Sequence, residues 1–91
     1  MAFAEYDMEP VLADTLGPDS DSEALYRAGL QFSLGEEVEL NLVEAHKWFN
    51  LAASKGHDVA RDLRQEMADQ MSQDEIRKAQ KAAREWLRLM N

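Results

Sequence analysis

The 91-residue chain contains no cysteine, so disulfides, thiolate nucleophiles and thiolate metal ligands are all excluded. It has no apolar run near the roughly 18 residues needed to cross a bilayer. Its first ten residues, MAFAEYDMEP, carry neither a basic start nor an apolar core, which argues against a secretory signal and for a cytoplasmic protein. The constellations that carry chemistry are missing too. No glycine-rich phosphate loop occurs, and none of Ser22, Ser33, Ser54 and Ser72 sits in a nucleophile elbow. The two histidines, His46 and His57, lack the Glu-x-x-His spacing of a helical metal site. Glu44 and His46 are two residues apart and point in different directions on a helix. His46 reads as a half-exposed surface residue and His57 as a loop residue. No catalytic residue, cofactor or metal is expected.

Basic residues are absent from the first 23 positions, which hold seven acids: Glu5, Asp7, Glu9, Asp14, Asp19, Asp21 and Glu23. The remainder holds eleven acids and ten bases, so the net charge of −8 belongs mostly to the N-terminal segment. Such a segment repels phosphate backbones and argues against general nucleic-acid binding. Residues 1–19 also hold both prolines and an interleaving of Phe3, Tyr6, Met8, Val11, Leu12 and Leu16 with acids. Two readings stay open: a disordered, solubilising leader, or a linear segment that docks on this domain or on a partner.

From residue 20 the period is helical. Ser20-x-x-Glu23 has the form of a capping box, and the spacing predicts a helix from Ser20 to Leu34, ended by Gly35, with Leu25, Ala28, Gly29 and Phe32 on its inner face. Val38 is expected beneath the following acidic loop. Asn41 is expected to cap a second helix to about Lys55, with Gly56 just past its end. Its apolar arc of Ala45, Trp48, Phe49, Ala52 and Ala53 is wide enough to need neighbours on more than one side. A third helix is expected from an Asp58 cap to about Gln70, with Val59, Ala60, Leu63, Met67 and Met71 inward. A fourth follows the Ser72-x-x-Glu75 capping box to about Met90, with Ile76, Ala79, Ala83, Trp86 (or Leu87) and Met90 on one line and Arg77, Lys78, Lys81, Arg84 and Arg88 on the other. The fold class is therefore all-α, two antiparallel helix hairpins.

The stretch ALYRAGLQFSLGEEVELNLVEAHKWFNLAASKGHDVA places Tyr26, Gly29, Phe32, Gly35, Val38, Asn41, Ala45, Trp48, Phe49, Ala52, Ala53, Gly56 and Ala60 at the spacing of a Sel1-like repeat, and it resembles that family, a cousin of the tetratricopeptide (TPR) repeat. Two positions depart from the family pattern: Glu37 stands where a second loop glycine is usual, and Asn41 where Asp is usual. The C-terminal EMADQMSQDEIRKAQKAAREWLRLM looks like the tail after the last repeat of some bacterial Sel1-like proteins. The resemblance implies a fragment of a right-handed α-α superhelix: residues 20–57 as one repeat and 58–91 as a C-terminal capping helix pair. It also implies a bacterial source and a scaffold for protein–protein contacts. One repeat and one cap fall short of the three or so units that repeat folds need, so a covering neighbour is expected: the acidic leader, a second copy of the chain or a different protein. A small adaptor or accessory subunit would recruit that neighbour as a protein partner, through Tyr26, Leu30, Gln31 and Leu34 of the first helix with Lys47 and Asn50 of the second. The alternative is a homo-oligomer stacking repeat on repeat; a third reading uses the basic face of the last helix on an anionic surface. Tyr26 and Trp86, amphipathic and near the edge of the core, are further anchor candidates.

Overall fold

Four α-helices and one short 3-10 turn make up the structure, a computed structural model that describes residues 13–90, with the side chains as far as Leu89. The apolar residues expected to anchor the leader between Phe3 and Leu12 lie outside the described residues. The helices are α1 (Ser22–Leu34), α2 (Leu42–Ser54), α3 (Asp58–Asp69) and α4 (Gln73–Met90). The all-helical expectation holds, and among the described residues there is no strand.

Three of the expected helix ends have the anticipated chemistry. Asn41 caps α2, its side-chain oxygen accepting from the Glu44 N–H at 3.1 Å. Ser72 and Glu75 form the reciprocal capping box of α4, at 3.1 Å from the Glu75 N–H to the Ser72 hydroxyl and 2.8 Å from the Ser72 N–H to the Glu75 carboxylate. Gly35 ends α1 at φ 70, a conformation that costs an L side chain and not glycine. Two expectations need correction. Asp21, not Ser20, caps α1, accepting from the Ala24 N–H at 2.9 Å. The Ser20 hydroxyl is already engaged in a local turn, where it accepts from the Gly17 N–H at 2.9 Å. His57, not Asp58, caps α3: its Nδ1 accepts from the Ala60 N–H at 3.1 Å.

α1 and α2 run antiparallel. At one end Lys55 Nζ reaches back to the carbonyls of Pro18 and Ser20, at 2.8 and 2.6 Å; at the other the Asn41 N–H donates to the Phe32 carbonyl at 3.0 Å. Small residues permit the close approach. A β-carbon on Gly29 would fall 2.5 Å from two ring atoms of the fully buried Phe49.

α2 is the hub. α1, α3 and α4 each make their main contacts with it. This answers the wide apolar arc of α2, whose Ala45, Trp48, Phe49, Leu51, Ala52 and Ala53 are all buried. The expected second hairpin, read as a cap, is more loosely paired than the first. α3 and α4 straddle α2 and make few contacts with each other. Their inward lines, Ala60 and Met67 on α3 and Ala79 and Ala83 on α4, are buried. Between the two helices stand Arg64, Gln65 and Gln80, which no dry interface would accept without partners. Val59, expected inside, is about half exposed. Ala13, in the 3-10 turn, and Leu16, just after it, pack against the core, so the part of the leader nearest the helices folds back on them.

Candidate functional site

The six positions expected to meet a partner fall in three different places. Leu30 and Leu34, four apart on α1, share a stripe; Leu30 is half-buried against the core and Leu34 is 60 % exposed. Gln31, expected at the edge, is buried with only 8 % exposed. Tyr26 is half-buried and committed to packing. Its ring stacks on His57 at 4.2 Å and tilts against Phe49 at 6.2 Å. His57 in turn pairs with Glu23 at 3.2 Å, so one imidazole joins the α3 cap to α1.

Lys47 lies over the Trp48 ring at 4.3 Å and pairs with Glu44 at 3.2 Å, while Glu44 also accepts from the Trp48 indole N–H. These residues, with Ala13, Leu16 and Trp86, line a shallow groove of about 300 Å³. Trp86 meets Trp48 edge-on at 5.5 Å there, which places it at the margin of the core, as its composition suggested. Asn50 belongs to another place: its side-chain oxygen accepts from Arg64 Nη1 at 2.8 Å.

Sequence reasoning missed the exposed Leu40. Leu34 and Leu40, 60 % and 58 % exposed, flank the α1–α2 loop. The Leu40 Cβ lies 3.3 Å from where a β-carbon on Gly35 would sit. The loop is held by the Glu36 N–H on the Gln31 carbonyl and by the bond from Asn41 to Phe32, both 3.0 Å. Glu37 adopts φ 65, so the loop takes a glycine-like turn without the glycine.

Sequence reasoning also missed the space between α3 and α4. It is a cavity of about 440 Å³ lined by His46, Asn50, Arg64, Gln65, Ala68, Ile76 and Gln80. His46 is not half-exposed but buried, 3 % exposed, because α2 is covered on this side as well. Burial first, and the Arg64 charge second, hold its imidazole below the usual 6.5. Its Nδ1 is enclosed and finds no hydrogen-bond partner among the described residues. No group of acids and histidines there or elsewhere in the described residues is arranged to hold a metal ion. On the outer side of α4, Lys81, Arg84, Glu85 and Arg88 border a shallow depression. No helix among the described residues is long and apolar enough to cross a membrane. Compared with known proteins, the chain matches no family model, no curated sequence and no solved structure.

Proposed function

We propose that this chain is a non-catalytic protein–protein interaction module, a small cytoplasmic adaptor or accessory subunit built on a Sel1-like helix pair. The observation that carries the reading is the pair Leu34 and Leu40. Two large apolar side chains stand exposed at the two ends of a loop whose backbone is already fixed by hydrogen bonds. An apolar contact held rigid before binding loses little entropy when a partner covers it. Of the six residues named from the sequence, Leu30 and Leu34 belong to this surface. Gln31 holds the loop through its carbonyl, while Tyr26, Lys47 and Asn50 serve other parts of the molecule.

The test is affinity purification of the tagged chain beside a Leu34→Ser/Leu40→Ser variant, with stoichiometry measured for whatever accompanies each. The reading requires a stoichiometric partner held by the parent chain and lost by the variant, while the circular dichroism of the two is the same. A partner held equally by both removes the loop surface. A clean preparation whose mass rises with concentration replaces the adaptor by the self-associating alternative.

A further inference from the structure

We propose that the cavity between α2, α3 and α4 is a carboxylate-binding site, with Arg64 as its charged anchor and His46, Asn50 and Gln80 as the polar groups around it.

Three observations lead there independently of the loop surface. The first is charge. The chain has 18 acidic residues and a net charge of −8, yet the cavity is lined by no carboxylate, and its one formal charge is a guanidinium. Asp69 accepts from the Gln65 amide at 3.0 Å without lining the cavity itself.

The second is the state of Arg64. Arg61, Arg77 and Lys47 each pair with a carboxylate within their own helix. Arg64 is half-buried, and no carboxylate among the described residues stands within ion-pair distance. Among the described residues its one hydrogen bond, to Asn50, orients the guanidinium and leaves further N–H groups to donate. A partly desolvated guanidinium gains most from a planar, two-oxygen acceptor, which meets its fork with two parallel bonds.

The third is His46, an imidazole more than nine-tenths buried that lines the cavity close enough to Arg64 to feel its charge. A wall with such desolvated polar groups favours a ligand that can hydrogen-bond to it over an apolar one. The size suits the reading, since ligand sites begin at roughly 300 Å³.

The carboxylate could be carried by a small free acid or by the C-terminus of a protein partner; both present the same two oxygens. The experiment is a titration of the isotopically labelled full chain, followed through the His46 ring and Arg64 side-chain signals by NMR. The probes are acetate, acetamide, and one short peptide with a free or an amidated C-terminus. The site predicts saturable shifts with the carboxylates, none with the amides, and at least roughly tenfold weaker binding in Arg64→Gln, the loss of one charge-assisted pair. Saturation by acetate and peptide alike identifies a free acid as sufficient; saturation by the free-ended peptide alone identifies a partner's terminus. Should Arg64→Gln unfold, Gln80→Trp places a much larger side chain in the cavity from an exposed position on α4 and must abolish the same shifts. Shifts that stay linear in concentration, that acetamide reproduces, or that survive both substitutions overturn the proposal and leave a water-filled cavity.

Discussion

The two halves of this molecule are built from equal numbers of helices and bury very different things. In α1 and α2 the enclosed side chains include Leu25, Trp48, Phe49 and Leu51, the largest in the core. In α3 and α4 the enclosed side chains are Ala60, Met67, Ala79 and Ala83. Apolar area removed from water stabilises at about 25 cal/mol per Å², so most of the hydrophobic stabilisation resides in the first pair. The second pair is held by one narrow line per helix, by good capping, and by contact with α2. The contrast teaches that helical patterning secures a helix, whereas side-chain volume on the facing surface decides whether two helices close on each other. α1 closes on α2 because Gly29 and Ala28 leave room for the Phe49 ring; α3 and α4 stay apart because polar side chains line the space between them.

The largest expected effect is on the first pair. Phe49→Ala should cost about 3–5 kcal/mol, a large part of the roughly 5–15 kcal/mol available to a small domain. Trp86→Ala, at the half-buried margin of α4, should cost well under that. Denaturant midpoints of the two variants compare them directly, and equal losses would break the contrast. Gly29→Ala comes next. The new methyl must displace a ring that is fully buried, at about 1–3 kcal/mol. The better helix propensity of alanine returns only about 1 kcal/mol, so the net change is destabilising.

Capping sharpens the contrast further. Asn41→Ala and Ser72→Ala each remove a side-chain acceptor worth about 1 kcal/mol. At Asn41 the loss should appear in the global unfolding midpoint; at Ser72 it should appear first as faster hydrogen exchange confined to α4. If both shift the global midpoint alike, the four helices unfold as one unit. In the α1–α2 loop, Glu37→Gly should stabilise by about 1 kcal/mol, because a side chain at φ 65 is strained.

The smallest effect is a pH dependence. Since the folded chain holds the His46 imidazole below 6.5, the unfolded chain takes up that proton first. The contribution of this residue is therefore undiminished at neutral pH. It falls away as pH drops below about 6.5 towards the lowered folded value, and levels off beneath it. The thermal midpoint of the parent chain should fall more steeply between neutral and mildly acidic pH than that of His46→Gln. Parallel curves would show that His46 is solvated.

Much of the fold was legible because the signals were local. Asn41, Gly35 and the Ser72–Glu75 box act within four residues of chain, and the α2 arc announced its several neighbours by width alone. The misses came from distant groups. Nothing near Ser20 in the sequence shows its hydroxyl engaged by Gly17 in preference to the helix. Imidazole is an uncommon cap, and His57 takes the role because Tyr26 and Glu23, more than thirty residues away, fix its ring. His46 and Gln31 were assigned outward by period. They are buried because α2 is covered on three sides and because an inner face is wider than its apolar stripe. The cavity had no sequence signal at all, since its lining comes from three helices. Of the proposed contact surface, Leu34 was readable from the α1 stripe, whereas Leu40 lay in a loop whose folded geometry exposes it.

Native-state hydrogen exchange, resolved by helix, tests most directly the claim that α2 is the hub and α3 and α4 are appended to it. Amides of α2 facing α1 should exchange only through global unfolding, while those of α4 open at lower free energy and without disturbing α1. Equal protection across all four helices, or earlier opening of α2 than of α4, would contradict the account.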